Sequence, residues 1–333
     1  MKKVTMLLIL IICVLSFNRQ SAAQEEPVVY VPVVSSELFV VGAPNPQTGL
    51  FYSRDDGQTW GHTGWKNIRA FGVAVDAHSN GDVIYIASGN GVIKTTDGGD
   101  SWRVMTDWRI TEVMDVQVHY QNPDLVYIAT AYGAFRSVDA GWTWTEQNNG
   151  LQQTFLTVIV IDRKNPDILY AGGESGLYRS TDRADTWEHI GFEDRPVRAI
   201  AQGTHSPEVF LVGTEDDGIF RSTDYGETWE RVRNGLQHET FYTIQFDPVD
   251  ENIVYAAGYD TGVYKSVNGG TAWQRFTSGL TNRNVPAVAV HPKNNNIVFA
   301  GTNGGGLFRS MNGGRTWQHV GMRSAEIYSI KIQ

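Results

Sequence analysis

The chain repeats one eight-residue motif, S-x-D-x-G-x-T-W, seven times. We call each copy a box, number the boxes in chain order, and locate each by its closing tryptophan. These tryptophans follow one another at steps of 42 to 44 residues and are Trp60, Trp102, Trp144, Trp187, Trp229, Trp273 and Trp317. A period this even indicates a repeat architecture, and a unit of about 40 to 50 residues made of short strands is typical of a propeller blade.

Each repeat predicts a blade of four short strands, A to D, with the box in the turn between C and D. The first repeat has strand B at residues 37–42, followed by C and D, but it has no strand A. Residues 326–333 follow the last box and carry an Ile-x-x-Ile-x-Ile pattern that fits the missing strand. We therefore expect an all-β fold, a single seven-bladed β-propeller whose ring closes when the C-terminal strand pairs into blade 1 and removes two free sheet edges.

The acidic position of each box predicts a tight turn. A carboxylate accepts backbone N–H groups while the glycine two positions later takes a positive φ, and the tryptophan is expected to bury between blades. Boxes six and seven carry asparagine instead, which keeps the acceptor oxygen and loses the charge that a calcium site or an acid catalyst needs. This favours a structural role for Asp55, Asp97, Asp139, Asp182, Asp224, Asn268 and Asn312. Box four has Ala184 in the glycine position, which predicts either a strained turn, by about 1 kcal/mol, or another turn type.

The N-terminus has the pattern of a Sec signal peptide. Lys2 and Lys3 precede an apolar run at residues 4–17, and Ala22 and Ala23 supply the small residues of a cleavage site. The run is about 14 residues, short for a membrane-spanning helix. We therefore predict cleavage after Ala23, a linker at residues 24–36, a propeller at residues 37–333, and a secreted or periplasmic protein.

The charge of the cleaved chain limits its partners. Removing residues 1–23 takes away three basic residues and no acid, so the formal net charge changes from −9 to −12. Nucleic acid and anionic membrane surfaces are poor partners for such a chain. The single cysteine, Cys13, leaves with the signal, which excludes disulfide and zinc–cysteine chemistry in the cleaved protein.

Histidines and extra tryptophans are assigned to the scaffold. His62, His189 and His319 each lie two residues after a box tryptophan, while His119 and His291 replace the aspartate that ends strand A in other repeats. No pair has metal-ligand spacing, so neither a metal nor a cofactor is predicted. The two tryptophans that precede strand A lie in a slot that holds Leu, Phe or Met in the other repeats, which favours core packing for Trp65 and Trp108.

Two charged residues interrupt the alignment of the seven A strands. Asp115 and Arg198 stand where the other repeats have uncharged residues, and a charge in the innermost strand faces the channel or a seam between blades. An ion pair, a hydrated channel lining and a ligand site all fit these two positions. Further arginines recur in the D–A loops, where they would form either a basic ring suited to carboxylate or phosphate groups or an ordinary mixed-charge face: Arg69, Arg109, Arg195, Arg283 and Arg323.

The box resembles the Asp-box, or BNR repeat, of sialidases, xyloglucanases, sortilin and the photosystem II stability and assembly factors. The length, the signal peptide, the single ring and the arginine-bearing loops are similar to the photosystem II assembly factors, over residues 37–333. That resemblance implies a non-catalytic scaffold that docks a protein partner on the face of the D–A loops. A thylakoid lumen would follow only for a photosynthetic host, and the oligomeric state is left open.

Two other classes of function stay open. A glycan hydrolase would require a carboxylate pair such as Asp115 with Glu174 or Glu215. The sialidase arginine motif is matched only by Arg195-Pro196 in mid-chain, sialidases have six blades, and xyloglucanases use two propellers. Sortilin-like peptide capture is the third class, although the sortilin propeller has ten blades followed by cysteine-rich modules, and this chain shows neither. The partner is thus expected to be a protein or a glycan.

Overall fold

A computed structural model describes residues 26–35, 48–237 and 239–333. Within these residues, 28 strands form seven four-stranded antiparallel sheets arranged as a ring, as the sequence predicts. No helix long and apolar enough to cross a membrane occurs in the described part of the chain. The predicted signal peptide and its cleavage site lie outside it.

The strands are numbered β1 to β28 in chain order. Blade 1 contains β28 (Lys331–Ile332), β1 (Val29–Val33), β2 (Gly49–Ser53) and β3 (Gly61–Thr63). Blades 2 to 4 contain, as strands A to D, β4 (Ala70–Val75), β5 (Ile84–Ser88), β6 (Gly91–Thr95) and β7 (Arg103–Val104); β8 (Val113–Val118), β9 (Val126–Thr130), β10 (Gly133–Ser137) and β11 (Thr145–Glu146); and β12 (Leu156–Ile161), β13 (Leu169–Gly173), β14 (Gly176–Ser180) and β15 (Glu188–Gly191).

Blades 5 to 7 follow the same order. They contain β16 (Val197–Gln202), β17 (Phe210–Thr214), β18 (Ile219–Ser222) and β19 (Glu230–Arg231); β20 (Phe241–Phe246), β21 (Val254–Gly258), β22 (Gly262–Ser266) and β23 (Gln274–Arg275); and β24 (Ala287–Val290), β25 (Val298–Gly301), β26 (Leu307–Ser310) and β27 (Gln318–Gly321). The A strands neighbour one another around the axis, since β4, β8, β12, β16, β20 and β24 contact each other in that order.

The hydrophobic core is divided among the seams between blades. Each of the seven buried clusters joins residues of one blade to residues of the next, as when Leu211 of blade 5 packs with Phe241 and Tyr264 of blade 6. The strands that supply them are rich in β-branched and aromatic residues, and strand B is buried on both faces in every blade. Every box tryptophan packs into the seam with the preceding blade, as predicted; three are buried and four are partly buried.

The C-terminal segment closes the ring, as predicted. Strand β28 pairs antiparallel with β1, with Ile332 opposite Val29. Further along, Glu326 and Ser35 form a bridge, and the N–H of Glu326 donates to the carbonyl of Ser35 at 2.9 Å. Ile327 is fully buried in the seam between blades 7 and 1.

Strand B of blade 1 is not where the sequence suggested. The strand between β28 and β2 is Val29–Val33, which falls in the segment assigned to a linker, and residues 37–42 lie outside the described part of the chain. All five residues of β1 are buried, so the blade begins at or before Val29. Both runs are apolar and both precede β2, and apolar periodicity alone does not distinguish them.

The box turns have the predicted hydrogen bonds. In box three, Asp139 Oδ1 accepts from Ser137 Oγ and from the N–H of Thr143, at 2.7 and 2.8 Å, while Asp139 Oδ2 accepts from Thr143 Oγ1. In box seven, Asn312 Oδ1 accepts from the corresponding two donors. Its Nδ2 instead donates to Thr316 Oγ1, so the asparagine preserves the turn without a charge.

Box four keeps the same turn despite its alanine. Ala184 has a φ of 71°, and its N–H donates to Ser180 Oγ at 2.8 Å, as the glycine does in other boxes. Of the two predicted alternatives, box four therefore keeps the turn type and places Ala184 in a strained backbone conformation.

A hydrogen bond from strand C to the next box crosses most seams, and no sequence pattern predicted it. The residue after the box aspartate or asparagine has a positive φ, for example 57° at Ala140 and 62° at Arg183. Its carbonyl accepts from a lysine or arginine of the preceding blade, as in Lys94 Nζ to Ala140 O at 2.7 Å. We call this contact a latch; the donors are Lys94, Arg136, Arg221, Lys265 and Arg309.

Replacing Asp139 by Asn should change the free energy of unfolding by less than about 1 kcal/mol, because asparagine makes the same turn in box seven. Replacing it by Ala removes the acceptor for the Thr143 N–H and should cost about 1–2 kcal/mol. Urea unfolding at pH 7 measures both. A loss of several kcal/mol in the Asn variant would show that the charge itself holds this turn.

Deleting residues 326–333 should remove the closing strand and destabilise the whole ring. Loss of buried Ile327 and of the partly buried Ile330 and Ile332 should cost about 4 kcal/mol or more, a large share of the stability of an ordinary domain. Thermal unfolding of the deletion should start lower and become broad. The matched control is Gln333→Ala, whose side chain is exposed; a deletion that melts like this control would rule out closure by the C-terminal strand.

Candidate functional site

A pocket of about 550 Å³ lies on the propeller axis, and residues of all seven blades line it. We call it the mouth pocket. Its walls come from the starts of the A strands, from the ends of the D–A loops, and from the B–C loops that carry Glu174 and Glu215. The boxes lie in the C–D turns at the other ends of the strands, so the pocket opens on the face predicted for binding.

Aromatic and apolar side chains form much of the wall. Five of the lining positions are Phe71, Met114, Phe155, Tyr242 and Tyr328. The residues that follow Phe71 and Tyr328 in the chain are small, Gly72 and Ser329, and they also line the pocket. These two positions leave room next to the aromatic side chains.

Arg198 lies among these residues between two glutamates. Its guanidinium pairs with Glu174 at 2.8 Å, and its Nε donates to Glu215 at 2.9 Å. Burial opposes the charge of Arg198, but the hydrogen bonds to Glu215 and Glu174 outweigh burial and raise the pKa of the guanidinium. The sequence singled out Arg198, and it offered Glu174 and Glu215 only as possible partners of Asp115; the structure instead brings both glutamates, from different B–C loops, to Arg198.

Asp115, the other charged departure, serves the seam between blades 3 and 4. Its carboxylate accepts from the N–H of Val116 at 2.8 Å and from the N–H of Ile159, in the next blade, at 3.1 Å. Gln117 also donates to both oxygens. Burial is the dominant influence and raises the pKa of Asp115 to about 6, against the hydrogen bonds that lower it. No ion pair joins Asp115 to Arg198 in the described residues.

The loop arginines are dispersed and largely paired. Arg69 faces Glu112 at 3.6 Å, Arg195 faces Asp217 at 3.4 Å, and the remaining pairs are Arg109 with Asp107 and Arg283 with Asp260. Arg323 is exposed. Of the six predicted binding arginines, the structure brings only Arg69 and Arg198 to the mouth pocket.

A second cavity of about 620 Å³ lies at the edge of blades 2 and 3 and includes Arg109, Tyr132 and Trp142. Next to it, Trp108 is 86% exposed, so the expectation of core packing is wrong for this residue. Ile110 is buried in its place. Trp65 is also exposed, at 41%, and Ile68 is buried three residues later. The sequence signal that could have shown this exposure is the isoleucine that follows each tryptophan, because that isoleucine fills the buried position.

The histidines have structural roles. His119 Nδ1 accepts from the N–H of Asn122 at 3.0 Å, and in blade 4 Asp162 Oδ1 accepts from the N–H of Asn165 in the same turn. His189 on the outer strand contacts the carbonyl of Ser175 and packs edge-on against Tyr178. Among the described residues, no group of three His, Cys, Asp or Glu side chains is placed to hold a metal ion.

Comparison with known proteins supports the fold. Residues 217–331, less than half of the chain, match the Sortilin-Vps10 family, described as "Sortilin, neurotensin receptor 3". No curated protein matches the chain. Among solved structures, YCF48 bound to D1 peptide is 17% identical with a TM-score of 0.57, and the match covers 75% of this chain and 81% of that one.

Two larger proteins are also similar. A GH74 enzyme of Niastella koreensis is 21% identical with a TM-score of 0.59, over 78% of this chain and 45% of the enzyme. The extracellular domain of a putative one-component system from B. thetaiotaomicron is 18% identical with a TM-score of 0.65, over 86% of this chain and 39% of that one. The chain thus spans about half the length of these proteins or less, and at these identities the likeness shows a shared propeller fold.

The Asp115→Asn variant should differ from the wild type in the pH dependence of stability. The pKa of Asp115 is raised on folding, to about 6, so the folded state keeps a proton that the unfolded state releases near pH 4. The wild type should therefore lose about 2 kcal/mol relative to the variant as the pH rises from 4 to 7. Urea unfolding of both proteins across this range measures the difference. A constant difference would place the Asp115 pKa near its ordinary value.

Proposed function

We propose that this chain is a secreted, non-catalytic propeller that binds an extended segment of a protein partner in the mouth pocket. The observation that carries the proposal is the pocket itself, an axial cavity of about 550 Å³ on the face of the D–A and B–C loops, lined by aromatic and by charged side chains. Concave sites that combine aromatic side chains with converging polar groups are the usual form of ligand pockets.

An extended polypeptide suits the lining of this site. Aromatic and charged side chains from several blades face one cavity, so a segment of a chain or a single projecting side chain can contact both kinds of group. The structure of YCF48 bound to D1 peptide and the match to the sortilin family offer precedents for peptide ligands on related folds. A role like that of the photosystem II assembly factors is one specific form of this proposal.

Glycan hydrolysis is the second candidate, because Asp115 has a pKa raised to about 6 and lines the pocket together with Glu174 and Glu215. The similar GH74 enzymes suggest the same class. Against it, the Asp115 oxygens already accept from two backbone N–H groups and from Gln117, and both glutamates hold Arg198. These contacts engage all three carboxylates, so a hydrolase would have to give up a hydrogen bond or an ion pair to supply an acid and a nucleophile or base.

Site-specific photocrosslinking should distinguish the two. A benzophenone amino acid is placed at Tyr328, in the mouth pocket, or at Val267, which is 69% exposed in box six. Crosslinking is carried out in the native secretome, and the captured protein is identified, purified and titrated with the wild type. We expect capture through position 328 and not through 267, and about tenfold weaker binding to a Phe155→Ala variant.

The same samples are assayed for turnover of xyloglucan and sialylated glycans. Equal capture at both positions, or unchanged binding by Phe155→Ala, would remove the mouth pocket as the docking site. Glycan turnover that disappears in Asp115→Asn, in a protein that still folds, would replace the binding function with hydrolysis.

A further inference from the structure

We propose that the mouth pocket selects a cationic group, the side chain of a lysine or arginine in the bound segment. This inference rests on the proposed function and names the chemistry that the pocket recognises. It differs from the expectation of a basic ring suited to carboxylates, because the assembled pocket has the opposite charge.

The first observation is the charge of the lining. Four acids line the mouth pocket and only two bases do: Asp115, Glu174, Glu215 and Glu326 against Arg69 and Arg198. Outside the lining, Glu112 faces Arg69 and Lys331 interacts with Asp115; these two outer charges cancel, and the excess of two acids remains. With a net charge of −12 on the predicted cleaved chain, the local and the global fields both favour a positive ligand.

The second observation is that the pocket already holds a guanidinium. Glu174 and Glu215 come from two neighbouring blades and converge on Arg198, which lies between them. Their side chains keep 37% and 38% of their surface exposed, so both carboxylates face the pocket as well as the arginine. Two carboxylates on one cation leave an excess negative charge, and a second cation entering from the mouth would balance it.

The third observation is Glu326, at the rim. Its backbone bridges to Ser35 and Asn303, which fixes its position, while its side chain makes no hydrogen bond or ion pair with any described residue. It is half-buried and lines the pocket beside Tyr328. This carboxylate is therefore available for a charge-assisted hydrogen bond to a cationic ligand.

The aromatic walls suit the same ligand. Phe71, Phe155, Tyr242 and Tyr328 surround the entrance, and the face of an aromatic ring attracts a cation. Arg69 already uses one of these rings, with its guanidinium carbon 5.0 Å from the centre of Phe71. A lysine or arginine stem would pack along these rings while its head reaches the carboxylates.

A carboxylate ligand on Arg198 is the opposite possibility, and the two predict opposite effects of one substitution. Arg198→Gln removes a resident cation that competes for Glu174 and Glu215, so binding of a cationic peptide should tighten. For a carboxylate ligand, the same substitution removes the attracting group and binding should weaken. Arg198→Lys keeps the charge and serves as the matched control.

The probes are fluorescein-labelled peptides of five lysines, five glutamines or five glutamates, titrated by fluorescence anisotropy in 150 mM salt. We expect only the lysine peptide to bind the wild type. Arg198→Gln should tighten it about threefold to tenfold, Arg198→Lys should leave it within about twofold, and Glu326→Gln should weaken it about fivefold. Glu230→Gln removes the same charge from exposed strand β19 and should have no effect. Thermal melts confirm that each variant is folded.

Weaker binding of the lysine peptide to Arg198→Gln, binding of the glutamate peptide, or absence of any binding would overturn the inference. So would an equal loss in Glu326→Gln and Glu230→Gln, which would indicate attraction by the overall charge. A protein partner captured through position 328 together with any of these results would leave the proposed docking site in place and reject only its preference for a cation. Binding of the lysine peptide without a protein partner captured through position 328 would support the preference for a cation and reject the pocket as a docking site for a protein.

Discussion

The seam between neighbouring blades is the interaction on which the whole structure depends. A four-stranded blade has two faces to bury and no partner of its own, and each of the seven clusters buries one face against the next blade. The closing seam uses the same contacts as the others: Arg309 latches to the carbonyl of Asp56, and Trp60 Nε1 donates to the carbonyl of Val320 at 3.0 Å. The seam that joins the two ends of the chain is thus held by the same kinds of contact as the other seams.

The scaffold was predictable because its signals repeat. The boxes, their asparagine variants and the C-terminal strand all recur or complete a recurring unit, and the structure agrees with them. The latch was not predicted, although three of the four steps between its successive donors are 42 or 44 residues and the fourth spans two repeats. A lysine or arginine on strand C looks like an ordinary solvent-facing residue, and its acceptor is a backbone carbonyl about one repeat away, which leaves no mark in the sequence.

The site was predictable only in part, because its residues are departures from the repeat. Aligning the A strands singled out Arg198 and Asp115, since a single charge in a column of uncharged residues is visible in one sequence. Their actual contacts were not visible, since the two glutamates were considered as partners of Asp115 and not of Arg198. Glu174 and Glu215 lie in B–C loops of irregular composition, and Asp115 binds a backbone N–H of the next blade. The five loop arginines looked like one group, but each loop also supplies or meets an acid, and local pairing decides the field.

The rigid seams explain how unlike residues from seven blades can form one pocket. Each A strand is held by packing on both sides, so the first residues of the strands present side chains whose positions are set before a ligand arrives. Preorganisation of this kind lowers the entropy cost of binding, and it also fixes unfavourable charges in place. The seams hold Glu174 and Glu215 around one cation, Arg198, and so fix an excess of negative charge in the mouth pocket. A ligand that brings positive charge would balance this excess, so the stability of the ring and the proposed selectivity of the pocket have the same physical origin.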